Sequence, residues 1–195
     1  MSDVNEYYID LDERAEKMLR EGEFLGKGNN GVVYLLPDNR VIKVFKEKRI
    51  CKREYGILAR TKGSKYFPKV YGNGTYYIVR DYVGGERLDK YIKKNGLDKE
   101  VACKVIELMK EFQRLNFTKL DIRCKDLYIT EELSLMVIDP RNNYSKDRTY
   151  PRHLMKGLNK LGVLDEFLEV VKEEYAEFYD EWNSKMKRYL ETGIK

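Results

Sequence analysis

Apolar positions along the chain alternate between a helical and a strand period. Leu11, Ala15, Met18 and Leu19 recur at helical spacing and Gly22 closes the pattern, which predicts a short helix. Val32 to Leu36 is a β-prone run, Pro37-Asp38-Asn39 turns the chain, and Val41 to Phe45 returns as a second strand. Arg49 to Arg60 reads as a helix with Ile50, Tyr55, Ile57 and Leu58 apolar. Thr75 to Val83 is a strong β run that Gly84-Gly85 breaks, and Glu86-Arg87-Leu88 is expected to start a helix. Asp98 suits the N-cap of a long helix with Val101, Val105, Leu108, Met109, Phe112 and Leu115 on one face. Leu135 to Ile138 is a short apolar run of the buried-strand kind. Pro151 opens a helix carrying Leu154, Met155, Leu158 and Leu161, with Gly162 as its stop. One last long helix is expected through Phe167, Leu168, Val171, Tyr175, Phe178, Trp182, Met186 and Tyr189. Residues from about 22 to 83 thus form a sheet with one helix, and the remainder is mainly helical, which is an α+β chain.

Composition narrows the class. The 195 residues are 42% hydrophobic and 36% charged, enough apolar matter for one sizeable core or two small lobes. No apolar run approaches membrane-spanning length, and MSDVNEYYIDLDER lacks the basic-then-apolar order of a signal peptide. The expectation is a cytoplasmic protein with no membrane partner. Cys51, Cys103 and Cys124 are widely spaced and odd in number, which fits a reducing compartment and neither a disulfide framework nor a metal knuckle. The single histidine, His153, excludes a His-based metal cluster. The net charge of +5 permits contact with polyanions without demanding it. The basic residues from Lys46 to Lys69 read first as a solvated face. A nucleic-acid partner is the weaker reading, since no aromatic side chains interleave with them.

Candidate chemistry lies in two places. Gly26, Gly28 and Gly31 form G-x-G-x-x-G. A dinucleotide fingerprint would open a helix at this point, but these glycines lead into a β run. They therefore belong to a hairpin whose backbone can approach phosphates, because no Cβ intervenes. Lys43 is the one charge inside Val41-Ile42-Lys43-Val44-Phe45, and Glu54 is the only acid of the following helix. The second place is Lys119 to Arg141, KLDIRCKDLYITEELSLMVIDPR, with Asp121, Asp126 and Asp139. Asp126 lies five residues after Asp121, and Asp139 eighteen after it, closing the apolar run.

Taken in order, these elements resemble the protein-kinase superfamily. The likeness covers a glycine loop, a V-A-I-K-type strand lysine, a helix glutamate, a strand-to-helix connector, a D-x-x-x-x-N-type loop and a D-F-G-type aspartate. It runs from Gly26 to Asp139. The short remainder looks like that of minimal atypical kinases, the RIO-type group and small prokaryotic relatives. The resemblance implies one bilobal kinase-like domain over residues 1–195. Its N-lobe would be an antiparallel sheet with one helix (about 22–83), its connector about 81–85, and its C-lobe short and mainly helical (about 86–195).

The implied activity is ATP- and Mg²⁺-dependent phosphoryl transfer to a hydroxyl of a protein or a small molecule. Gly26, Lys27, Gly28, Gly31 and Val33 would line the nucleotide. Lys43, held by Glu54, would pair with its phosphates. The backbone of Asp81 and Val83 would meet the adenine edge. Asp121 would orient the acceptor hydroxyl, Arg123 would contact the γ-phosphate, and Asp126 and Asp139 would hold Mg²⁺. Three departures stand against this frame. Lys119-Leu120-Asp121 replaces H-R-D, Asp139-Pro140-Arg141 replaces D-F-G, and Arg80 falls where the family has an apolar residue behind the adenine. Arg80 is expected to reach Glu54 or a phosphate. These departures also support a rival reading, a pseudokinase that binds without turnover.

Overall fold

A computed structural model describes residues 11–141 and 143–193. The expectations for residues 1–10 and for Asn142 lie outside the described residues. The boundary between two compact units falls between Tyr82 and Val83.

The first unit begins with helix α1 (Glu13–Glu21), whose N-cap Asp12 accepts the Ala15 N–H at 2.8 Å. Five strands follow: β1 (Glu23–Gly28), β2 (Gly31–Leu35), β3 (Arg40–Phe45), β4 (Val70–Asn73) and β5 (Tyr77–Asp81). They form one antiparallel sheet in the order β1-β2-β3-β5-β4. The turn between β2 and β3 closes with Asn39 at φ 59°, a conformation that asparagine tolerates. Helix α2 (Lys48–Arg60) runs between β3 and β4. The strand period sorts the sheet's two faces. Ile42, Val44, Tyr77 and Val79 pack with Ala15 of α1 and Leu36. On the opposite face β3 presents Val41, Lys43 and Phe45, all buried, and Lys43 stands in register between Val33 and Ile78.

The second unit holds a small sheet of β6 (Glu86–Arg87), β7 (Leu127–Ile129) and β8 (Leu135–Val137). Around it lie helices α3 (Leu88–Asn95), α4 (Lys99–Arg114), α5 (Arg152–Lys160), α6 (Leu164–Glu174) and α7 (Ala176–Thr192). Asp98 caps α4 as its sequence suggests, accepting the Val101 N–H at 2.7 Å. The expected α+β class holds, with an antiparallel sheet followed by a mainly helical part.

Two element expectations need correction. Glu86 and Arg87 do not start a helix: they pair with Ile129 and Tyr128 of β7, and α3 begins only at Leu88. Gly85 permits this, because its φ of +91° carries it to 2.1 Å from the Ile129 carbonyl, measured to the Cβ it lacks. The last long helix is two helices, broken at Tyr175 (φ −144°, ψ 49°). The break lets α7 fold back on α6, so that Trp182 stacks on Phe167 with ring centroids 6.3 Å apart. A continuous helix would hold those rings about 22 Å apart along its axis. Trp182 and Phe167 are both fully buried, and burial of two large aromatic side chains outweighs one lost helical turn.

Candidate functional site

The first unit brings Lys43 and Glu54 together. Strand β3 turns Lys43 to the face covered by α2, and Glu54 stands on the buried side of that helix. Lys43 Nζ donates to Glu54 Oε1 at 2.8 Å and to Oε2 at 2.7 Å, with both side chains nearly sequestered from solvent. A buried ammonium holds its charge only with such a partner. Lys43 is therefore a buried strand residue and not a solvent-facing one.

The glycine hairpin lies on neighbouring strands. Gly28 and Gly31 are register partners across β1 and β2. At Gly31 a Cβ would sit 1.9 Å from the Val44 carbonyl oxygen, so only glycine lets β2 approach β3 this closely. Gly26 and Gly28 differ: a Cβ there would meet nothing within 4 Å. Their bare backbone borders open space, which fits a ligand that needs close access to peptide N–H groups. Lys27 is exposed and Val33 is half-buried.

The stretch assigned to adenine is already partly bonded. The Asp81 N–H donates to the Lys69 carbonyl at 3.0 Å, and the Asp81 carbonyl accepts from Arg80 Nη1 at 3.2 Å. The Asp81 carboxylate accepts the Tyr71 hydroxyl and the Lys69 N–H, each at 2.8 Å. Arg80 is buried on the same face as Lys43. Val83 is half-buried and opens the second unit.

In the second unit, Asp121, Arg123 and Asp126 share one loop. Residues Cys124–Asp126 form a 3₁₀ turn, and the Ile138 N–H donates to the Asp126 carbonyl at 3.1 Å, fastening this loop to the segment that ends in Asp139. Arg123 folds onto Asp126 in a bidentate pair, with Nη2 2.7 Å from Oδ1. Arg141 likewise pairs with Asp139, Nε lying 2.9 Å from Oδ2. Each carboxylate expected to bind metal therefore has an arginine partner. Lys119 is half-buried, its Nζ donates to the Arg141 carbonyl at 3.2 Å, and desolvation holds its pKa below the ordinary lysine value. Among the described residues, no group of three or more His, Cys, Asp or Glu side chains is arranged to hold a metal ion.

Sequence reasoning missed the partner of Asp121. This carboxylate is wholly buried, and His153 covers it. The His153 N–H donates to Asp121 Oδ1 at 2.8 Å, and His153 Nδ1 is bonded to Oδ2. His153 is the second residue of α5, whose N-cap position is Pro151 with no side-chain cap of its own. Asp121 thus caps α5 from a distant loop, where its charge also complements the helix dipole. The same loop is pinned once more at Gly157 of α5, where a Cβ would lie 2.8 Å from Cys124 Sγ. The only sequence signals were the solitary histidine and Pro151 at a helix start, and neither points to residue 121.

No protein-family model matches the chain. A curated Bacillus subtilis (strain 168) protein named "Putative serine/threonine-protein kinase YrzF" is 24% identical over 133 residues, 65% of this chain and 62% of that one. The chain therefore spans somewhat under two thirds of that relative's length. Among solved structures, Rad53 1-466 in complex with AMP-PNP gives a TM-score of 0.47 at 16% identity, covering 62% of this chain and 38% of that one. The streptomycin-ATP-APH(2")-IIa ternary complex gives 0.41 at 20% identity, covering 54% and 40%. None of these names the RIO-type branch suggested by the short C-terminal part. The motifs from Gly26 to Asp139 follow the order found in protein-kinase-like proteins, and over 133 residues the chain is similar to that Bacillus subtilis protein.

Proposed function

We propose that the chain is an ATP-dependent phosphotransferase acting on a hydroxyl. One observation carries this reading: the buried pair of Lys43 and Glu54, a fixed ammonium on the sheet that also bears the open-backed glycines. In this reading Lys43 binds the nucleotide phosphates, and Gly26 and Gly28 let the backbone lie close to them. Asp126 and Asp139 are hard oxygen donors suited to Mg²⁺, which when bound neutralises phosphate charge. Arg123 and Arg141, which hold those carboxylates, have guanidinium forks that suit phosphate oxygens once the carboxylates take a metal. The rest is positioning of the acceptor hydroxyl in line with the γ-phosphate.

The first acceptor class is a protein serine or threonine. Ser145 and Thr149 of the chain itself are exposed, whereas Tyr144 is half-buried with its hydroxyl on the Leu115 carbonyl. A small-molecule hydroxyl is the alternative acceptor. A second function class, a nucleotide-binding module without turnover, is favoured by the arginine pairs on both Asp126 and Asp139.

The test joins two measurements on the full chain. Mg·ATP should raise the melting temperature of the wild type, and γ-labelled ATP should leave label on the chain or an added serine/threonine substrate. Stabilisation without transfer selects the binding module. Absence of both removes the nucleotide reading.

A further inference from the structure

Asp121 cannot meet an acceptor hydroxyl directly in this structure. It is 0% exposed, and both oxygens are engaged by one residue. His153, by contrast, has 46% of its side chain exposed. The pair thus has a buried member and an outward member, joined through Nδ1.

Asp121 orients the ring. An ionised carboxylate only accepts, so Nδ1 carries the hydrogen that faces Asp121. Arg152 Nη2 lies 3.5 Å from His153 Nε2, at the far limit of a hydrogen bond. With its hydrogen on Nδ1, the neutral ring carries its lone pair on Nε2. Arg152 is itself buried, and its charge and that of Asp121 flank the ring from opposite nitrogens. A half-exposed histidine oriented by a buried aspartate has the parts of a general base.

We propose that His153 is a catalytic residue, taking the acceptor proton on Nε2, and that Asp121 is its positioning residue. This rests on the phosphotransferase reading above. The acceptor oxygen forms a bond to the γ-phosphorus, and the bond from that phosphorus to the β,γ-bridging oxygen breaks. ADP leaves with the electron pair. The hydroxyl proton passes to Nε2, and the imidazolium so formed is stabilised by the Asp121 carboxylate until it returns the proton to water. No other reactant is needed.

The test uses the full chain with Mg·γ-labelled ATP, read as self-labelling and as ATP hydrolysis. H153N retains a side-chain N–H for Asp121 but has no basic nitrogen. H153A leaves room for an added imidazole. In both variants the backbone N–H of residue 153 still caps Asp121, so melting temperatures should stay near wild type. Transfer should fall by ~10² or more in each, the usual share of a general base. Mg·ATP affinity should be unchanged, and imidazole should restore part of the H153A rate. Normal transfer by H153N, or an H153A defect that imidazole does not touch, overturns the proposal and leaves His153 as a packing residue. A wild-type chain that binds Mg·ATP and neither labels itself nor hydrolyses it removes the phosphotransferase reading, and this base with it. Loss of transfer in both variants, with wild type active and H153A partly restored by imidazole, upholds both.

Discussion

Glu54 of α2 grips Lys43 of β3 with both carboxylate oxygens, at 2.7 and 2.8 Å, in a place nearly closed to water. Removing one partner strands a buried charge, which costs about 3–5 kcal/mol. Glu54→Ala should therefore lower stability by that amount in denaturant titrations. Replacing both residues by methionine should recover most of the loss, because a matched apolar pair needs no desolvation of ions. If the pair exists for the nucleotide, the double variant should still fail to bind Mg·ATP in calorimetry. Full binding by that stable variant would make the pair purely structural.

The three hairpin glycines should separate cleanly by substitution. Gly31→Ala sets a methyl against the Val44 carbonyl oxygen and must spread β2 from β3. A loss of ~1–3 kcal/mol is expected, as for other overpacked sites. Gly26→Ala and Gly28→Ala meet open space and should melt within a degree or two of wild type. Their defect should appear only as weaker Mg·ATP binding. Equal melting losses at all three positions would contradict this geometry.

The contact between α5 and the Asp121 loop predicts a compensating pair. Gly157→Ala pushes a Cβ into Cys124 Sγ and should lower the melting temperature. Cys124→Ala removes that sulfur. The double variant should regain stability relative to Gly157→Ala alone, a coupling of ~1 kcal/mol or more in a double-mutant cycle. Additive losses would show that the two residues do not meet.

Burial pushes the Cys51 and Cys124 thiols up to about 12 from the ordinary 9.0, with the neighbouring acids adding in the same direction. The unfolded chain then releases these protons at lower pH than the folded one. Between pH 9 and about 12 the folded state binds more protons, so stability falls as pH rises. The slope is about 1.4 kcal/mol per pH unit for each thiol. Below pH 9 both thiols are protonated in both states and contribute no slope. Urea titrations of Cys51→Ala and Cys124→Ala across pH 8 to 10.5 should each show a shallower alkaline decline than wild type. An unchanged decline in both would refute the assignment.

Much of this was legible because local signals agreed. Asp98 and Gly22 mark their helix ends, and one lysine inside an apolar strand followed by one acid in the next helix pointed to the pair that forms. The failures share a cause. Glu86 and Arg87 look helical until β7, forty residues on, supplies strand partners. Tyr175 carries no breaker residue, and only the Phe167–Trp182 stack explains the turn there. The Asp121–His153 bond joins residues 32 apart and leaves no periodic trace. The arginine partners of Asp126 and Asp139 are close in sequence, but which oxygen each guanidinium holds depends on backbone turns that the residue order does not display.

The cap that Asp121 lends to α5 gives position 121 two separate reasons to resist change. A descendant that had abandoned turnover would still unravel the start of that helix by losing this acid. Persistence of Asp121 among relatives would by itself record only anchoring, and Lys43, Glu54 and His153 would have to persist beside it to testify to chemistry.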